Sequence, residues 1–189
     1  MTSLRNLRIV GFAIAVVTFV LDQWIKHVVV NVLELDRVNE VEPLLPFFDL
    51  RRANNYGVSL GMFEATSMEM RWILVAVTAA IAVGVAVWML RERKGWDIAA
   101  LGLVLGGALG NIRDRWMYGY VIDYADLHVG EFRPFLIFNV ADAAITIGVV
   151  IILVRALFSR ETVAEGQDAA GPAPHNPVTA KPDQTREPS

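Results

Sequence analysis

Four long apolar runs set the pattern of this chain. The first starts at Ile9, reads IVGFAIAVVTFVL to Leu21 without a charge, and continues through Asp22, Trp24 and Lys26 to about Val30. The second, Trp72 to Leu90, carries no charge at all. The third, about Ile98 to Ile112, is rich in glycine at Gly102, Gly106, Gly107 and Gly110, as helices that approach closely in lipid require. The fourth, Phe138 to Phe158, is interrupted near its start by Asn139, Asp142 and Thr146. A hydrocarbon core about 30 Å thick takes roughly 20 helical residues to cross, so each run is long enough for a transmembrane helix.

Between the runs the polar positions are uneven. The connection from about 31 to 71 interleaves Leu44, Leu45, Phe47, Phe48, Leu50, Leu60, Met62 and Phe63 with polar residues, and Phe48-Asp49-Leu50-Arg51 alternates as a half-buried strand does. This predicts a small sheet lying against the membrane, with Met68 to Arg71 opening an interfacial helix into the second span. From Glu161 the chain carries five of its eight prolines and almost no large apolar residue. That composition cannot offset the entropy of ordering and predicts a disordered tail.

Lys and Arg are retained on the cytoplasmic side of short flanks. Arg5 and Arg8 precede span one, Arg91, Arg93 and Lys94 fill the connection between spans two and three, and Arg155 and Arg160 close span four. Alternating spans then put both termini in the cytoplasm and the connections at about 31–71 and 113–137 outside. Arg5 and Arg8 before an apolar stretch also resemble a cleaved signal peptide, but no A-x-A-like site follows and three more spans do. The expected fold is an all-α polytopic membrane protein, four transmembrane helices with a small extracytoplasmic β-containing subdomain. Residues 1–160 form the membrane domain and 161–189 the cytoplasmic tail.

Composition agrees: 54% of the 189 residues are hydrophobic, 20% are charged, and the mean hydropathy is +0.43. The absence of cysteine excludes disulfides, thiolate nucleophiles and Cys-ligated metal. The net charge of −3 comes with no basic stripe on a foldable polar segment, so nucleic acid is not an expected partner. No metal or other cofactor is expected.

Ionisable groups in spans are expensive and face the bundle interior or a water-filled site. Here they gather toward the outward ends: Asp22 and Lys26 in span one, Asn111 and Arg115 at the end of span three, Asn139 and Asp142 at the start of span four. Asn54, Asn55 and Asp123 lie in the outer connections. Each has a plain structural reading. Asp22 and Lys26, four apart, form a helix-face ion pair. Asn139 and Asp142 are a helix cap and an acid near the positive helix end. Asp123 and Asp126 are solvated loop acids, Arg113 and Asp114 a local charge cluster with Arg115, and His128 a surface histidine.

Two aspartates meeting at the membrane edge allow one specific chemistry. An ionised carboxylate takes a proton from water as it attacks a peptide carbonyl, while a protonated partner supplies one to the carbonyl oxygen or leaving amine. No HExxH or P-loop motif offers another route. A transporter using Asp22, Asp123 and Asp142 as an ion relay, and a noncatalytic scaffold, are the competing classes. A relay places acids near the midplane, whereas these cluster outward.

In LDQWIK at 21–26, NYGVSLGMF at 55–63, GGALGNIRDR at 106–115, YGYVIDY at 118–124 and FNVADAAITIG at 138–148, the chain resembles the bacterial lipoprotein signal peptidases, or signal peptidase II. The likeness runs from about Val20 to Leu157. It implies a four-helix aspartyl protease of the inner membrane that cuts diacylglyceryl-modified prolipoproteins just before the lipidated cysteine; membrane lipids are the other expected partners, and nothing in the sequence demands more than a monomer. By motif position Asp123 and Asp142 match the catalytic pair. Asn55, Gly57, Asn111, Arg115 and Asn139 match residues that bind substrate or hold the pair, and Asp22 and Lys26 match a supporting pair. Gly57-Val58-Ser59-Leu60 departs from the family's usual GAAF.

Overall fold

The computed structural model describes residues 3–57 and 68–168, with side chains as far as 158. It contains helices α1 (Leu4–His27), α2 (Met68–Arg91), α3 (Gly95–Tyr118) and α4 (Val140–Asp168), and strands β1 (Val41–Leu45), β2 (Phe48–Asn55) and β3 (Val121–Leu127). The first compact unit is Met1–Arg155; the second, from Ala156, includes the end of α4.

Four helices are long and apolar enough to cross a membrane: Leu4–Val32, Met68–Arg91, Gly95–Tyr118 and Val140–Phe158. The first three are longer than the apolar runs that announce them. Ser3 caps α1 by accepting from the Asn6 N–H at 3.3 Å, so the helix starts before Ile9. Arg113, Asp114 and Arg115 do not end α3, which runs to Gly119 in the left-handed conformation (φ 87°). The segment 113–118 is therefore helix rather than loop. In α4 the backbone ladder continues through 161–168, where a disordered tail is expected from composition. Adding a residue to an existing helix is far easier than starting one, and Glu, Ala and Gln propagate it well. The rest of the expected tail, 169–189, lies outside the described residues.

Helix α3 is the most buried span. Its glycines explain how. A Cβ on Gly102 would stand 2.5 Å from the Gly11 carbonyl oxygen of α1, and one on Gly107 would strike the Ala141 carbonyl of α4. Gly148 of α4 returns the contact, its Cβ position lying 2.6 Å from the Ala100 oxygen. Small residues thus let α1 and α4 pack on either side of α3, the arrangement available when lipid supplies no hydrophobic drive between helices. Ala15, Ala82, Met89, Ile98, Leu101 and Leu105 form the core between α1, α2 and α3. Val17, Ile81, Val83 and Leu153 point outward and stay exposed, as faces turned to acyl chains do.

At one end of this bundle sits a three-stranded antiparallel sheet in the order β1-β2-β3. The expected strand at Phe48 is present, and the second connection adds β3, which follows α3 directly. A π-helical turn at Val28–Val32 carries α1 into a second core, where Val29 and Leu35 meet Leu50, Ile122, Tyr124 and Ala125 of the sheet. Strand β3 is buried along nearly its whole length. Asp123 and Asp126 are therefore buried strand residues rather than solvated loop acids. His128 is also no surface group: its side chain is 13% exposed and its Nε2 lies 3.1 Å from Asp49 Oδ2.

Candidate active site

Asn139 is the residue around which the two aspartates are arranged. It precedes α4, and its side-chain oxygen accepts from the Asp142 backbone N–H at 2.9 Å, capping one of the unpaired N–H groups of the first turn. That use of the oxygen leaves the amide nitrogen to donate elsewhere. It donates to Asp123 Oδ1 at 2.6 Å and lies 3.2 Å from the Ile122 carbonyl oxygen. The capping role foreseen for Asn139 is real, and the same carboxamide also reaches the strand acid.

Asp123 is paired with Ala53 across β2 and β3, which puts Asn55 within reach from the neighbouring strand. Asn55 donates to Asp123 Oδ2 at 3.0 Å, while its own oxygen accepts from the Gly57 N–H at 2.8 Å. That turn fixes the Asn55 rotamer, and Gly57 adopts φ +84°, a conformation glycine takes without strain. Asn54, by contrast, accepts from Arg52. The segment 58–67, including the Val58-Ser59-Leu60 departure from the usual motif, lies outside the described residues.

Asp142 is half-buried and accepts from Asn111 Nδ2 at 2.8 Å. The Asn111 oxygen lies 3.4 Å from both Lys26 Nζ and Asn139 Nδ2, so α1, α3 and α4 meet on one amide. Arg115, one turn further along α3, has its Nη1 3.5 Å from the Asn111 carbonyl, and its buried Nε has no hydrogen-bond partner among the described residues. A Cβ on Gly57 would stand 3.6 Å from Arg115 Nη2, so the β2 end and this guanidinium are neighbours. Burial, and next the charge of Asp142, push the Asp123 carboxyl up to about 7, against the pull of its bonds from Asn55 and Asn139.

Behind these residues lies a buried ionic cluster. Lys26 Nζ is 2.8 Å from Asp22 Oδ2 and 2.7 Å from Asp114 Oδ2. Gln23 bridges the two acids, donating to each at 3.0 Å. The cluster also holds backbone: Asp22 Oδ1 accepts from the Ala141 N–H at 3.0 Å, and Asp114 Oδ2 from the Ile122 N–H at 3.2 Å. Those amides adjoin Asp142 and Asp123 in sequence. The cluster therefore sets the positions from which both aspartates project. Asp114, 0% exposed, is not a member of a surface charge cluster with Arg113. Its three-residue spacing from Asn111, which puts both on one face of α3, was the available signal for it. Gln23 carried no such signal.

Asp142 also borders an apolar groove of about 580 Å³ lined by Leu127, Phe135, Leu136, Phe138 and Ile147. The arrangement thus combines two amide-held carboxyl groups, a nearby guanidinium and an apolar channel at the end of the membrane spans.

A family model described as signal peptidase (SPase) II matches residues 14–158. The lipoprotein signal peptidase of Sphingopyxis alaskensis is 52% identical over 86% of this chain and 92% of its own length. That of Rhizorhabdus wittichii is 50% identical over 89% of this chain and 99% of its own. Two solved bacterial membrane enzyme structures obtained by the in meso method superpose with TM-scores of 0.68 and 0.67 at 24% and 26% identity, covering 80% and 78% of this chain and 90% and 92% of theirs. With the matched segment spanning all four helices and the sheet, the chain belongs to the signal peptidase II family.

Proposed function

We propose that the chain removes the signal peptide from diacylglyceryl-modified prolipoproteins, cleaving on the N-terminal side of the lipidated cysteine, and that Asp123 and Asp142 activate the attacking water. The observation that carries this reading is the Asn139 carboxamide, which bonds Asp123 with one end and the Asp142 backbone with the other. It holds Asp123 beside the start of α4, where burial and the nearby charge of Asp142 keep the Asp123 carboxyl protonated toward neutrality.

The division of labour follows from their surroundings. Asp123, buried and raised to about 7, is the proton donor. Asp142, half-buried beside the groove, is the base. As water adds to the scissile carbonyl, Asp142 takes its proton and Asp123 protonates the carbonyl oxygen. Collapse of the tetrahedral intermediate breaks the C–N bond: the proton held by Asp142 goes to the leaving amine, and Asp123 takes a proton back from a gem-diol hydroxyl as the product carboxyl forms. Arg115 offers a fork of donors to a substrate carbonyl. The apolar groove receives an apolar part of the substrate.

By the distribution of Lys and Arg, the reaction takes place at the outer face of the inner membrane, with both termini cytoplasmic and one chain sufficient. The test is processing of a diacylglyceryl-modified prolipoprotein by membranes carrying wild type, Asp123→Asn or Asp142→Asn protein, read as a gel mobility shift. Cleavage by wild type and none by either variant inserted at normal levels supports the dyad. Cleavage by both variants overturns it.

A further inference from the structure

We propose that a pocket between the sheet end of α1, the last turns of α3 and strand β2 binds the phosphate of an anionic membrane phospholipid. Neither Asp123 nor Asp142 lines this pocket, although Gln23, Lys26 and Asp114 of the cluster behind them do. The pocket has a volume of about 260 Å³, and its walls include Lys26, His27, Arg52, Arg113, Tyr118 and Tyr120.

The charges are unbalanced in a way that points to a ligand. Lys26 is matched by Asp22 and Asp114. Arg52 and Arg113 form no ion pair with a carboxylate among the described residues; Arg113 donates to Gln23 and Arg52 to the Asn54 oxygen, both neutral groups. Arg52 is only 4% exposed, and its buried Nη1 has no hydrogen-bond partner among the described residues. A guanidinium taken out of water without a counter-ion is strongly unfavourable, and a phosphate offers the acceptors that its fork matches.

The surface below the pocket selects a lipid rather than a free ion. Trp24, 61% exposed, lies one helical turn before His27 on α1, and Leu109, 41% exposed, one turn before Arg113 on α3. These apolar faces lead from the membrane-spanning part of the two helices up to the basic groups, so an acyl chain lying against them presents its phosphate to Arg52 and Arg113. Tyr118 and Tyr120, with rings stacked at 6.1 Å between centroids, flank the same level. Aromatic residues of this kind mark the headgroup zone, and basic pockets between spans are suited to acidic headgroups.

The test is thermal unfolding of the purified full chain in uncharged detergent, titrated with dihexanoyl phosphatidylglycerol, dihexanoyl phosphatidylcholine or inorganic phosphate. The expected result is a saturable rise in unfolding temperature with phosphatidylglycerol, and no comparable rise with the other two. Loss of one charge-assisted contact in Arg52→Gln or Arg113→Gln should raise the half-saturating concentration roughly tenfold. Arg113 is exposed on α3, so R113Q carries the test should R52Q fail to fold. Equal rises with both lipids, or an unchanged half-saturating concentration in R113Q, would overturn the proposal. An equal rise with inorganic phosphate overturns the lipid assignment.

Discussion

Asn139 donates its side-chain amide to Asp123 at 2.6 Å across the junction between β3 and α4. Because the oxygen of the same group caps Asp142, any displacement of Asn139 is felt at both acids. Replacing Asn139 by alanine removes the cap and leaves Asp123 with one fewer donor. Cap loss typically costs about 1 kcal/mol of stability. The larger expected effect is on turnover, a fall of roughly 10²-fold or more, the scale of misplaced acid–base catalysis. Kinetics on a diacylglyceryl-modified prolipoprotein, alongside thermal unfolding, separate the two; a variant that loses stability but keeps turnover would count against the shared-amide arrangement.

The raised Asp123 carboxyl predicts a pH dependence of stability with a definite sign. Between its ordinary value of 3.8 and about 7, folded protein retains a proton that unfolded protein has released. This contribution makes stability fall as pH rises through that window and level off above it, the reverse of a salt-bridged aspartate. Unfolding curves of wild type and Asp123→Asn should therefore diverge across the window, with the wild type the steeper. With Asp123 as the proposed proton donor, activity should decline as pH rises above about 7.

Among the described residues, Lys26 is the cation that pairs with both Asp22 and Asp114. Lys26→Met leaves two buried carboxyl groups facing each other without it. Breaking a buried pair from one side costs about 3–5 kcal/mol, so a large drop in unfolding temperature is expected. Lys26→Met combined with Asp114→Asn should recover part of that loss, since the uncompensated charge is then removed. A double variant no more stable than the single one would show that the cluster acts through packing instead.

Gly110 tests the approach of α3 to the same cluster. A Cβ there would stand 2.5 Å from Asp22 Oδ2, so Gly110→Ala must shift the carboxylate that holds the Ala141 N–H. Overpacking of this kind typically costs about 1–3 kcal/mol. Gly84, whose Cβ position meets nothing within 4 Å, is the control, and Gly84→Ala should be neutral or slightly stabilising. Thermal unfolding of the two alanine variants side by side reads the difference.

The spans were legible because lipid imposes a length and an apolar composition on any helix that crosses it, and both are written directly in the order of residues. Their ends were less legible. Nothing in Arg113-Asp114-Arg115 says that a helix continues through charge, because the compensating partners of Asp114 lie on α1 and β3. The strand at Phe48 announced itself by alternation, whereas VIDYADL did not, because β3 is buried on both faces and short buried strands have no polar period to read.

The sequence by itself determined four membrane-crossing helices, the crowding of polar residues toward one end of them, and two aspartates in motifs that resemble those of the lipoprotein signal peptidases. Only the tertiary structure decided which polar groups touch. Asp22, Asp114, Asp123 and Asp142 are all carboxyl groups in a linear reading, yet two sit against Lys26 behind the site, while Asn139 bonds the Asp123 carboxyl and the backbone N–H of Asp142. The reason is geometric. Spacing along one helix fixes which residues share a face, but contact between helices depends on how closely backbones approach, and here the glycines of α3 set that distance.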